Sequence, residues 1–371
     1  RDQKTSIDKR VRFSAAKKIT VGILSLLLIS VIVFAVAQFR PSREESKIDK
    51  SIAVLPFDDM SPGKDQEYLG DGIAEEVITA LSRIKDLKVI GRTSSFQFKG
   101  DKVDLRDIGE KLDVATVLEG SVQKSGNNIR ITAQLIRVSD GSHIWSERYD
   151  RTITDIFAIQ DEISSHIAEK LKLTLFKTEE ASTENLPTKN MEAYEMWLKG
   201  NHFLRQGPIA HNKAIAFFQQ AIDLDSTYAD AYLGLAWGYF FAFEYNHDWL
   251  ERAKGAVNKA IIHNVDEDRA SELMLGVSLY EWNWSQAKKE YDKWFATNSE
   301  GTVSHAVYLR FAYGDFRGST DMLKAIVRKD PLNVEALRML GASLTYERQY
   351  EESRQVHRKI LEIDPAYGPA Y

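Results

Sequence analysis

The 371-residue chain contains no cysteine. That absence removes disulfide frameworks, zinc ribbons and thiol nucleophiles together. It is compatible with an oxidising compartment without requiring one. Histidines are few and scattered: His143, His166, His202, His211, His247, His263, His305 and His357. None falls in a His-Glu-x-x-His pattern, and only His202 and His211, flanking a long turn, have a spacing that could share a ligand, so they read as solvated surface groups. Phosphate-binding loops are missing too. Gly70-Asp-Gly72 opens a helix after a strand, but Glu75 stands where the third glycine belongs. Asp58, Asp59, Asp65, Glu67 and Asp71 crowd the same loop and would repel a pyrophosphate. Pro62-Gly63-Lys64-Asp65 has neither an earlier glycine nor a following Ser/Thr. Arg92-Thr-Ser-Ser95 has no histidine nearby in sequence and reads as a polar exit from a strand. The adjacent pairs Glu75-Glu76 and Asp161-Glu162 splay about 100° apart on a helix and read as solvated faces. No catalytic, cofactor or metal site is expected, and the chain is expected not to be an enzyme.

One long apolar run is present. Ile19–Phe39 holds twenty-one uncharged residues between Lys18 and Arg40, and a helix of that length covers the ~30 Å core of a bilayer. A removable signal peptide, with Ala35-Val36-Ala37 near its cleavage site, is the alternative. Residues 1–18 carry seven Lys/Arg against Asp2 and Asp8. Their basic excess predicts a cytoplasmic N-terminus and, in a double-membraned bacterium, an inner-membrane protein with a periplasmic body. The whole chain is −5, and with +5 on residues 1–18 and +1 on 40–50 the remaining 51–371 carry −11. A mildly acidic body is a poor polyanion binder, so nucleic acid is not an expected partner. Composition leaves material for about two domains beyond the span.

Residues 51–176 alternate strand and helix signals. Ser51–Phe57 is a short apolar run closed by Asp58, Asp59 and Pro62, as a buried strand is. Leu69, Ile73, Val77, Leu81 and Ile84 mark a helix over Asp65–Ile84. Leu87–Gly91 reads as a strand and Asp104–Leu112 as a helix. Ala115–Gln123 and Asn128–Val138 flank the turn signal Ser125-Gly126-Asn127. Along the second of these strands Ile129, Ile131, Ala133 and Leu135 alternate with more polar residues, until Arg137 and Val138 blur the pattern. Ser142–Tyr149 is the next strand. Asp155–Leu175 closes the region as an amphipathic helix on Ile156, Ile159, Ile163, Ile167 and Leu171. The expectation is a small mixed α/β sandwich.

SIAVLPF, YLGDGIAEEVITAL, KVIGRTSSF, DIGEKLDVATVLEGSV, RITAQLIRVSDGSHIWSERYDR and DIFAIQDEI follow one another in order. Residues 51–176 thereby resemble the TolB N-terminal-like (FlgO-like) domain of bacterial membrane proteins that also carry tetratricopeptide repeats. The resemblance implies a non-enzymatic interaction or sensing module.

Lys177–Asn190 is polar and broken by Pro187, and residues 177–192 read as a linker. From 193 to 371 a repeat begins. Ala214-x3-Phe218-x2-Ala221 recurs as Ala253-x3-Val257-x2-Ala260 and, loosely, as Ala287-x3-Tyr291-x2-Trp294. Leu275-Gly276-x2-Leu279 and Leu340-Gly341-x2-Leu344 give first-helix cores, with a weaker one at Gly200-x2-Phe203. Asp330-Pro331 and Asp364-Pro365 lie 34 apart, the length of one tetratricopeptide unit. Five units are expected, near 193–226, 229–265, 268–299, 300–331 and 334–365, resembling degenerate tetratricopeptide repeats. The chain starts without Met and ends in Tyr-Gly-Pro-Ala-Tyr, which looks like the opening of another unit, so a piece of a longer protein is expected.

The fold class expected is therefore α/β plus all-α: residues 40–50 join one transmembrane helix to the TolB-like domain, and an α-solenoid follows. Such solenoids bind extended peptides or partner helices on the wall lined by their first helices. By this register Tyr194, Trp197, Asn201, Trp237, Phe240, Tyr280 and Arg338 are the candidate groove residues, the alternative being that the aromatics fill the core between repeats. The aromatic run Trp237–Trp249, with Tyr239, Phe240, Phe241, Phe243 and Tyr245, is the richest candidate surface. The function expected is a membrane-anchored sensor or scaffold working through protein contacts. The alternative is the sensory half of a signalling protein with a nucleotide-cyclase or DNA-binding output domain. Binding of cell-wall glycan through the aromatics is a third possibility.

Overall fold

A computed structural model describes residues 50–84, 86–100, 103–171, 187–242, 248–297 and 304–368. The apolar Ser51–Val54 forms strand β1, buried along its whole length. It is covered on both faces because it lies inside a sheet, parallel to β3 (Lys88–Val89) on one side and to β4 (Thr116–Ser125) on the other. The short β2 (Asp58–Asp59) also runs parallel to β4. β5 (Asn128–Arg137) and β6 (His143–Thr152) extend the sheet antiparallel, giving the order β3-β1-β4-β5-β6. The turn between β4 and β5 uses Gly126 at φ 58°, a conformation glycine adopts without the Cβ clash. Ile129, Ile131, Ala133 and Leu135 all face the core. A register shift between Leu135 and Ile136 then buries both neighbours. That bulge is the physical reason the alternation blurs at this strand's end.

Helix α1 (Glu67–Ser82) and helix α4 (Ile156–Lys170) cover one face of the sheet, through Leu69, Ile73, Val77, Ile159, Ile163 and Ile167. The other face is closed by the short helical turn α2 (Arg92–Ser95) with its 3-10 extension Phe96–Phe98, and by α3 (Leu105–Leu112). Asp104 caps α3 by accepting from Arg106 N at 2.9 Å.

Among the described residues ten further helices follow, in five hairpins. These are α5 (Met191–Leu204) with α6 (His211–Leu224), α7 (Ala229–Ala242) with α8 (Asp248–Ile262), and α9 (Glu267–Tyr280) with α10 (Trp284–Thr297). The last two are α11 (Ser304–Ala312) with α12 (Phe316–Lys329), and α13 (Val334–Tyr346) with α14 (Tyr350–Ile363). Small residues let them approach. The Phe218 ring lies between Gly200 and Gly234, where an added Cβ would stand 2.6 and 2.4 Å from it. Ala214, Ala221, Ala253, Ala260 and Ala287 are fully buried. Trp294, standing where alanine is usual in such repeats, is buried in a local cluster with Leu275, Tyr291 and Leu309.

The expected one-transmembrane-helix architecture is corrected. Among the described residues no helix is long and apolar enough to cross a membrane. The longest, α1, has 16 residues, short of the roughly 20 a span needs. The fold shown is a small sheet region followed by paired helices. The run Ile19–Phe39, and most of the expected linker 177–192, lie outside the described residues.

Candidate functional site

Gly72 brings α1 against α5, for a Cβ there would stand 2.5 Å from Leu198 Cδ2. This close approach creates a polar cleft with room for about one water molecule. Asp71, Gly72, Glu75, Glu76 and Arg92 line it from the sheet region, and Trp197, Asn201, His202 and Arg205 from the array. Lys99 Nζ reaches both Asp71 oxygens, at 2.6 and 2.7 Å, while His202 Nδ1 lies 3.2 Å from Oδ2. Burial acts to raise the Asp71 carboxyl, but the bonds from His202 and Lys99 prevail and hold it below the usual range. Glu75 pairs with Arg205 and, at 3.4 Å, with Arg92 Nε. The Arg92 guanidinium stacks 3.8 Å over the Phe96 ring. Burial, with Arg205 close by, pulls it down to about 10. Its Nε is enclosed and makes no hydrogen bond among the described residues. Glu195 pairs with Lys124 and receives Tyr68 OH at 3.3 Å.

The candidate groove residues separate into three places. Tyr194 is 1% exposed. Its OH receives Gln160 Nε2 at 3.4 Å, and its ring lies 4.6 Å from Phe157 and 5.7 Å from Trp197. It is therefore part of the core that joins the array to α4. Trp197 is half-buried, donating from Nε1 to the Asp230 carbonyl at 3.2 Å, and Asn201 shares its cleft. Trp237, Phe240 and Tyr280 form a second aromatic group. Trp237 stacks on Phe241, and Phe240, itself buried, meets Tyr280 edge-on at 5.5 Å. Tyr280 continues outward into Trp282 and Trp284, and Trp282 is 76% exposed. Arg338 stands apart from both groups in its pairing, bound to Glu335 and 3.3 Å from Tyr308 OH. Within the aromatic run, Tyr239 meets Trp249 at 6.0 Å; Phe243 and Tyr245 lie outside the described residues.

Several residues that matter here were read differently from sequence. Glu75-Glu76 is no solvated face: it is turned onto the array. Arg92–Ser95 is no simple exit, since Ser94 and Ser95 are fully buried. His202 and His211 do not converge, because His202 is held at Asp71 while His211 faces Phe241 at 5.8 Å. Among the described residues no His, Asp and Glu group is placed to hold a metal ion. The partners His202 of Asp71, Arg205 of Glu75 and Asp330 of Ser94 come from more than a hundred residues away, so no local pattern announces them.

Residues 48–166 match the family described as HilA/YgeH-like transcriptional regulator, second domain. A curated relative, "Putative adenylate cyclase 3" of Rhizobium meliloti (strain 1021), is 41% identical over 187 residues, covering 50% of this chain and 32% of that one. The chain thus spans about a third of the length of that relative. Among solved structures, YrrB, described as a TPR protein with an unusual peptide-binding site, is 19% identical with TM-score 0.33, covering 50% of this chain and 92% of that one. A MamA structure is 15% identical with TM-score 0.31, over 47% and 93%. TolB from Acinetobacter baumannii is 15% identical with TM-score 0.26, over 33% and 28%. The array of this chain is a run of paired helices, and the overlap with TolB is partial.

Proposed function

We propose that residues 50–371 are a non-catalytic module that binds protein or peptide partners within a signalling protein. The observation that carries this reading is the five-hairpin array, whose α9–α10 turn presents Tyr280, Trp282 and Trp284 toward solvent. Large aromatic side chains left outside a packed core supply binding area at low entropic cost. A peptide array probed with the whole chain tests it. Saturable binding that falls at least about tenfold in a Tyr280→Ala, Trp282→Ala double variant is expected, which is about 1.4 kcal/mol. No binding, or binding indifferent to the substitutions, overturns it.

A second reading is supported by the names of the relatives, a transcriptional-regulator domain and a putative adenylate cyclase. In that reading the module regulates an output domain and does none of the chemistry itself. Incubation of this chain with ATP and Mg2+ should yield no cyclic AMP, and measurable turnover would refute the non-enzymatic assignment.

A further inference from the structure

Among the described residues the sheet region and the array meet at two places, and the two meetings differ in chemistry. The first is the α1–α5 face, where Ile73, Leu198 and Tyr194 belong to one apolar core. The second joins α2 to the turn between α12 and α13, largely through hydrogen bonds. Gly91 N donates to the Lys329 carbonyl at 2.6 Å, and Ser94 N to Asp330 Oδ1 at 2.7 Å. Leu332 N donates to Ser94 Oγ at 2.8 Å, and Gln97 Nε2 to the Leu332 carbonyl at 2.7 Å. Leu332 adds an apolar contact to the smaller core beneath the sheet.

We propose that this second meeting is a releasable latch. It holds the distal hairpins, α11 to α14, against the sheet region. Three observations carry it. The core shared with the sheet runs through the array as far as Val277 on α9, whereas Val307, Leu323, Ile326, Leu340 and Leu344 form a separate cluster of their own. In a stacked array each hairpin is held chiefly by its neighbours, so a unit with its own core can move without melting the rest. The latch is four hydrogen bonds and the single Leu332 contact. Although the Ser94–Asp330 bond is buried, each adds little net because the opened segments would bond to water instead, unlike the extended apolar α1–α5 face. Finally, the two meetings are linked: Arg92, in the latch segment, pairs with Glu75, which pairs with Arg205 at the first meeting. A change in the Glu75 pairing thereby reaches the latch through Arg92.

The latch goes beyond the interaction reading and is tested on the chain alone, so its failure would leave partner binding standing. The measurement is amide hydrogen exchange of the full chain, with the radius of gyration in solution. Gly91→Ala puts a Cβ 2.9 Å from Asp330 Cγ, and Gln97→Ala removes one bond from the sheet side, so neither alters the array's own turn. In the double variant, segments 91–98 and 329–334 should exchange about ten- to a hundredfold faster. The radius of gyration should rise, with α1 and α5 as protected as before. Unchanged exchange in the double variant overturns the latch. So does acceleration that spreads to α1 and α5, because the two meetings would then be one cooperative core.

Discussion

Glu76 projects from α1 toward the array, and burial pushes its carboxyl from an ordinary glutamate's 4.5 to about 7. Glu75 and Asp230 add to the rise, while Arg269 and Arg83 oppose it. The unfolded chain releases this proton near its ordinary value, whereas the folded chain keeps it to about 7. Stability is therefore lost as pH climbs from about 4.5 through about 7, and the loss is complete above that window. At ~1.4 kcal/mol per pH unit the displacement corresponds to at most about 3.5 kcal/mol. Partial solvent contact reduces the expected effect to roughly 1–2 kcal/mol. Glu76→Gln removes the titration while keeping the shape. The variant should match the parent near about pH 4 and exceed it by roughly 1–2 kcal/mol near about pH 8, in urea unfolding followed by tryptophan fluorescence. Glu272 is also pushed up to about 7 by burial, but it is present in both proteins and cancels from the difference. A gain of equal size at both pH values, or a variant less stable at the higher one, would refute the assignment.

Two further perturbations test the packing. Phe218→Ala empties the space between Gly200 and Gly234 and should cost about 3–5 kcal/mol in thermal or urea unfolding; a loss below about 1 kcal/mol would mean that the two glycines close over the gap. Lys124 and Glu195 keep only 16% and 17% of their side chains exposed. A double-mutant cycle to alanine should return a coupling of about 1–2 kcal/mol. A value indistinguishable from zero would place the pair with ordinary surface ion pairs.

The small sheet and the helical hairpins were legible because each is written in short-range periodicity. The alternation from Ile129 to Leu135 placed one strand, and the alanine and glycine spacing around Phe218 placed a hairpin. The departure at Arg137 even marked where the bulge falls. What lay beyond the sequence is everything that depends on how the array folds back. Asp330 looked like a repeat-ending turn residue, and it is one, but its carboxylate also receives Ser94, 236 positions earlier. Tyr194 was offered as a groove residue by its register, yet the same register lets it serve the sheet's core once α4 packs beside it. A helical pattern specifies which face is apolar, not which neighbour will cover it. The expected transmembrane fold rested on a run outside the described residues, and among those described the helices are too short to supply it.

Because Tyr194 and Leu198 share an apolar body with Ile73 and Ile163, the polar stretch before Met191 is a poor place to divide the polypeptide. A fragment starting there would carry a bare oily stripe on its first helix, and a fragment ending at Leu171 would leave the matching hollow open to water. Each half would be prone to clump with itself, so the smallest piece expected to stay dispersed must include both sides of that seam.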